Sequence, residues 1–130
     1  MGASGYTGYE LIKILSRHKF VDLTFLNSKS HDGQAVKSVY NDFWDDELKF
    51  TGLSLDNISK SKPDVVFTAL PSKESIGIVS KLKSRVIDLS ADFRFSNPKV
   101  YEKIYGMKNN SKIKAVYGLP ELFRNKIKKI

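Results

Sequence analysis

The chain begins Met1-Gly2-Ala3-Ser4-Gly5-Tyr6-Thr7-Gly8, three glycines spaced by three, and then runs into a helix-like segment. Glycines in that spacing allow a tight turn whose backbone N–H groups approach a pyrophosphate, while the helix that follows offers its positive end to the charge. Ser4 and Thr7 add hydroxyl donors, so the loop residues Gly2, Ser4, Gly5, Tyr6, Thr7 and Gly8 are the first candidate cofactor site. The spacing alone also fits a ligand-free turn between a strand and a helix. Such a loop is normally fed by a strand, and only Met1 stands before it.

Alternating strand and helix patterns follow. Leu11, Ile12 and Leu15 share one face of a helix predicted over 8–18, and Val21 to Leu26 alternates like a strand. Residues 34–62 carry weak signals: Val36, Val39, Tyr40, Phe43 and Trp44 read as a short helix or irregular cover. Pro63-Asp64 then introduces Val65 to Leu70, an almost continuous apolar run closed by Pro71, as expected of a parallel strand buried on both faces. Ser72 is placed to cap a helix over 73–83. Arg85 to Leu89 reads as the next strand, giving a βαβ unit. Asn97-Pro98 reads as cap and first residue of a helix ending near Tyr105-Gly106. A last strand is expected at 114–117 and a last helix from Pro120. The expectation is one α/β domain over 1–130, a Rossmann-like doubly wound parallel sheet.

At the end of the second predicted strand, ~20 residues past the glycines, an NAD site usually places Asp or Glu for the ribose 2′-hydroxyl. Here the residues are Asn27-Ser28-Lys29-Ser30. A carboxylate would repel a 2′-phosphate, whereas Ser28, Lys29 and Ser30 donate to it. A polar surface loop is the alternative; paired with the glycine loop, the corner points to NADP.

Composition narrows the classes further. A net charge of +8 is spread over scattered lysines, clustered only at Lys126, Lys128 and Lys129, which reads as a solvated surface rather than a nucleic-acid footprint. No apolar run approaches the ~20 residues of a membrane span and no signal-peptide layout opens the chain, so a cytoplasmic protein without membrane or nucleic-acid partners is expected. The absence of cysteine removes disulfides, thiolate metal sites and a thiolate nucleophile. No metal site is expected.

Four ordered stretches, Gly2-Ala3-Ser4-Gly5-Tyr6-Thr7-Gly8-Tyr9-Glu10-Leu11, Ala69-Leu70-Pro71, Asp88-Leu89-Ser90-Ala91-Asp92-Phe93-Arg94 and Tyr117-Gly118-Leu119-Pro120-Glu121-Leu122, resemble N-acetyl-γ-glutamyl-phosphate reductase across nearly the whole chain. That family belongs to the aspartate-semialdehyde dehydrogenase-like superfamily. The resemblance implies NADPH-dependent reduction of N-acetyl-L-glutamyl 5-phosphate to the 5-semialdehyde, with release of phosphate, in arginine biosynthesis. A lysine-pathway reductase of the same family and a non-catalytic nucleotide-binding fragment are the alternatives. It further implies that Ala69, Leu70 and Pro71 lie beside the cofactor's ribose and nicotinamide. Ser90, Asp92 and Arg94 follow a strand at its carboxyl edge, where ligands bind in such sheets. Arg94 is the favoured substrate-side residue, since a guanidinium suits bidentate recognition of phosphate or carboxylate; an Asp92–Arg94 structural pair is the competing reading. Family members start with a strand of type V-x-I-V and carry their nucleophilic cysteine and acid/base histidine further on. The resemblance therefore implies a piece lacking the first strand and the substrate domain, inactive alone, from a homo-oligomeric parent acting on a small-molecule acyl phosphate. Loss of a central strand makes the isolated chain unstable in this reading.

Overall fold

A computed structural model describes residues 1–130. Contacts divide the chain into two compact units, Met1–Leu70 with Leu82–Leu89, and Pro71–Lys81 with Ser90–Ile130.

The first unit holds helices α1 (Tyr6–Leu15), α2 (Val36–Val39) and α3 (Leu55–Ser61), and strands β1 (Leu26–Asn27), β2 (Phe50–Thr51), β3 (Val65–Thr68) and β4 (Arg85–Asp88). Two parallel pairs form, β1 with β2 and β3 with β4, the latter in register from Val65↔Arg85 to Thr68↔Asp88. Met1 to Ala3 lies between the pairs. Ala3 N–H donates to Asn27 O at 3.1 Å, Ala69 N–H donates to Met1 O at 2.9 Å, and the Met1 ammonium donates to Phe67 O at 2.6 Å. Reading across, the order is β2, β1, residues 1–3, β3, β4. This is the 3-2-1-4-5 order of a Rossmann-like sheet, as expected from the sequence.

Behind Met1 opens a cleft of about 540 Å³, lined on one side by Phe25 and Leu26, on the other by Val65 and Phe67, and floored by Leu11 and Leu15 of α1. The gap explains why Val21 to Phe25, with a good strand pattern, forms no ladder: a strand exists only where a neighbour accepts its hydrogen bonds. β3 is half-buried at alternate positions, with Val66 and Thr68 enclosed and Val65 and Phe67 partly open, so one face of the pair is open rather than both being buried. On β4, Ile87 remains 46% exposed.

The core sits under the glycine loop. Ala3, Tyr9, Ile12, Leu26, Val36, Phe43 and Phe50 form one buried cluster. Tyr9 stacks on Tyr40 with centroids 3.8 Å apart, and Phe43 meets Tyr9 edge-on. Beside them the Arg17 guanidinium lies 3.5 Å above the centre of the Trp44 ring. The weakly patterned stretch 34–51 thus supplies an aromatic cover for α1.

In the second unit are α4 (Glu74–Val79), α5 (Pro98–Tyr105) and α6 (Pro120–Ile127). α5 matches its sequence signals: Asn97 Oδ1 accepts from Lys99 N–H, Pro98 takes the first turn, and Gly106 at φ 63° closes the helix. α4 departs from expectation. It is shorter than 73–83, and its cap residue is Lys73 at φ 80°. The expected strand at 114–117 has no ladder partner and is irregular. No helix is long and apolar enough to cross a membrane.

Candidate functional site

The glycine loop separates its three glycines by job. Gly2, at φ +73°, turns the chain against β3, and a Cβ there would lie 2.8 Å from the Ala69 carbonyl carbon. A Cβ on Gly8 would lie 2.7 Å from Ala3 O, so this glycine lets α1 press onto the start of the chain. Gly5 is different. Its Cβ would meet only Gly2 O, at 3.6 Å, and Gly5 itself is exposed at the start of α1. Tight turn, close ligand approach and helix–strand packing are the roles a dinucleotide loop asks of its glycines in this order. The residues present therefore fit a pyrophosphate: Gly5 leaves open space at the N-terminus of a ten-residue helix.

A hydroxyl chain links this loop to the polar corner after β1. Ser4 Oγ and Ser28 Oγ are 2.7 Å apart, Ser28 and Ser30 Oγ 3.3 Å, and Ser30 Oγ is 2.9 Å from His31 Nδ1. Ser28 is buried, while Lys29 and Ser30 are exposed on a 3-10 turn spanning Lys29–His31. The nearest acid in the sequence, Asp32, has its carboxylate engaged elsewhere: Oδ1 accepts from Gly52 N–H at 2.7 Å. Asn27, at the strand end, donates from Nδ2 to Leu53 O. The corner thus presents hydroxyls and an ammonium, with one oxygen of the Asp32 carboxylate bonded to Gly52 N–H.

Tyr40 is a residue sequence reasoning did not assign to the site. Its hydroxyl donates to Ser4 O at 2.6 Å, so the aromatic cover holds the glycine loop directly. Burial, and then the neighbouring Tyr6, raise the Tyr40 phenol above its ordinary value, which keeps it a donor. Tyr9 is pushed up to about 12, first by burial and then by its hydrogen bond to Asp42. No local signal near residue 40 pointed to this; the link spans 36 residues. Tyr6 projects into solvent at 90% exposure, and Thr7 and Gly5 are exposed beside it. Ala69 and Leu70, half-buried, adjoin Gly2.

In the second unit, Ser90, Asp92 and Arg94 do not share one task. Asp92 is fully buried, and both of its carboxylate oxygens accept from Lys73 N–H, at 2.9 and 3.0 Å. Tyr101 donates to the same carboxylate at 2.7 Å, and burial followed by this bond pushes its phenol up to about 12. Ser90 Oγ accepts from Asp92 N–H, and Asn109 Nδ2 donates to Asp92 O. One expectation changes here. Ser72 does not cap α4, which has no side-chain cap; Asp92 instead holds the amide of Lys73, the residue just before the helix. Asp92 is buried and holds Lys73 and Tyr101 within its unit. Arg94 is exposed and donates from Nη1 to the Tyr105 hydroxyl at 3.1 Å, leaving it on the surface of its unit. Pro71 O accepts from Glu74 N–H at the start of α4.

Comparison with known proteins agrees with this geometry. The family profile described as semialdehyde dehydrogenase, NAD binding domain, matches residues 1–130. This chain belongs to that family. Proteins called N-acetyl-gamma-glutamyl-phosphate reductase from Methanosphaera stadtmanae, Pseudothermotoga lettingae and Methanobrevibacter smithii are 46%, 44% and 42% identical to it, over 98%, 98% and 99% of the chain. The chain spans 38% of the length of each of these relatives.

Proposed function

We propose that residues 1–130 act as one dinucleotide-binding domain, the NADP-binding portion of an N-acetyl-γ-glutamyl-phosphate reductase. The observation that carries the cofactor reading is the hydroxyl chain from Ser4 through Ser28 to Ser30 beside Lys29, with Asp32 held by Gly52. A 2′-phosphate would be met there by hydroxyl donors and by positive charge.

In this reading Gly2, Gly5 and Gly8, with Ser4, Tyr6 and Thr7, hold the pyrophosphate, and Tyr40 fixes the loop for it. Ser28, Lys29 and Ser30 hold the extra phosphate. Ala69, Leu70 and Pro71 flank the ribose and nicotinamide. Ser90 and Arg94 serve the acyl-phosphate substrate, with Asp92 organising the backbone between them. The bound nicotinamide supplies hydride, by which the acyl phosphate becomes semialdehyde and phosphate leaves. The chain has no cysteine, so none of these residues is offered as a thiolate nucleophile for that chemistry. A cytoplasmic, homo-oligomeric reductase in arginine biosynthesis belongs to the same proposal.

Titration of the full-length protein with NADPH and NADH tests it. NADPH is expected to bind more tightly, and Lys29→Met to weaken NADPH about tenfold while leaving NADH unchanged. Tighter binding of NADH by the unsubstituted protein would overturn the cofactor assignment.

A further inference from the structure

The hydroxyl chain does not stop at Ser30. It ends on an imidazole. His31 Nδ1 lies 2.9 Å from Ser30 Oγ and 3.5 Å from Ser28 Oγ. The ring is half-buried and rests against Phe50, a fully buried core residue, with centroids 5.8 Å apart. His31 is thus held between the core and the two serines assigned to the extra phosphate. The charged groups around it are Lys29 and Asp32 on its own turn, the latter tied to Gly52; β2 presents the Phe50 ring, and the glycine loop presents the Ser4 hydroxyl.

What Nδ1 does decides what Ser30 offers outward. In the neutral tautomer protonated on Nε2, Nδ1 accepts the serine's proton and Ser30 turns lone pairs toward an incoming phosphate; the neutral tautomer protonated on Nδ1 donates to Ser30 but brings no charge. A protonated ring donates from both nitrogens. Nδ1–H then fills a lone pair of Ser30 Oγ and frees the hydroxyl proton to point outward. The same proton adds a second positive charge beside Lys29. Imidazole is the side chain whose ordinary titration lies close enough to neutrality for a ligand to draw a proton onto it.

We infer that His31 is a specificity-determining residue for the cofactor's extra phosphate: it takes up a proton as NADPH binds, and so orients Ser30 as a donor. The inference rests on the NADP reading above and adds a proton to it.

Calorimetric titration of the full-length protein, in two buffers of different ionisation enthalpy near neutral pH, reads the proton directly. Net proton uptake is expected with NADPH and none with NADH. NADPH affinity is expected to weaken about tenfold from about pH 6.5 to about pH 8.5, with NADH changing less than about twofold. The phosphate's own titration near pH 6 releases protons on binding as the dianion, the opposite sign. His31→Gln, which keeps a polar amide but cannot titrate, should remove the loss of NADPH affinity with rising pH, leaving only the phosphate's own opposite trend, while NADPH stays preferred through Lys29. NADPH preference without proton uptake in the unsubstituted protein, or with an unchanged pH dependence in H31Q, overturns the role of His31 and leaves the NADP reading standing. Absence of NADPH preference at every pH overturns both. Because the uptake measurement needs no variant, a poorly folding H31Q does not spare the inference.

Discussion

The cleft between β1 and β3 makes a quantitative demand on stability. Residues along a strand alternate the side to which they turn N–H and C=O. Ala69 N and Phe67 O both bond to Met1, so the amides of Phe67 and Val65 face the cleft, as does that of Phe25 opposite, because Asn27 O bonds Ala3. Adding about four apolar residues such as Val-Ala-Ile-Val ahead of Met1 would continue the Met1–Ala3 segment as a parallel strand between them. Two side chains would bury against Leu11 and Leu15, worth about 1.5–3 kcal/mol each, and two would face the more open side where Ile87 is exposed. New ladder bonds contribute about 1 kcal/mol apiece. Ordering the added backbone costs about 1–2 kcal/mol per residue. With about four such ladder bonds the net gain is about 2.5 kcal/mol, or on the order of 8 °C in Tm for a chain of this size. Thermal melts by circular dichroism, compared with a Gly-Ser extension of equal length, supply the measurement, and hydrogen exchange should slow at Val65, Phe67 and Phe25. Equal melting points for the two extensions, with those amides unprotected, would refute the strand-slot argument.

Three further outcomes follow from particular contacts. Gly8→Ala should destabilise the first unit by about 3 kcal/mol or more, since its Cβ would meet the carbonyls of Gly2 and Ala3, whereas Gly5→Ala should leave the denaturation midpoint nearly unchanged and weaken dinucleotide binding at least about tenfold. Asp92→Asn removes a charged acceptor from the Lys73 amide and should cost about 2–3 kcal/mol in urea unfolding, with α4 exchanging first under native conditions. For the chain beginning at Met1, burial lowers the terminal ammonium from 8.0 to about 6. The unfolded state holds more protons between those values, so stability should rise from pH 6 to pH 8 by at most about 3 kcal/mol, and a melt flat across that window would count against a buried terminus.

How much was legible in the sequence depended on whether the deciding contact was local. Asn97-Pro98 and Gly106 bound α5 correctly because caps act within a turn of their own helix. The glycine loop and β3–β4 were legible for a similar reason, spacing and apolar runs being properties of short segments. Val21 to Phe25 carried an equally good strand pattern and formed none, because a ladder requires a neighbour that the pattern cannot supply. Ser72 was expected to cap α4 and does not: the residue before that helix, Lys73, is held through its amide by Asp92, 19 residues away, a contact no adjacent residue signals. Within the candidate site, Ser28 to Ser30 were proposed from their position relative to the glycines. Tyr40 was not, since its hydrogen bond to Ser4 exists only once the aromatic cover has folded over α1.

The Arg17–Trp44 stack has an optical consequence. Trp44 is the sole tryptophan of the chain and belongs to the first unit. With a guanidinium 3.5 Å over its ring and Phe43 alongside, its emission should redden as α1 and the aromatic cover separate. Indole fluorescence therefore watches the nucleotide-loop unit alone, while far-ultraviolet ellipticity also sees α4, α5 and α6. A mismatch between the two signals in one denaturation experiment would show the halves of this polypeptide coming apart in separate steps.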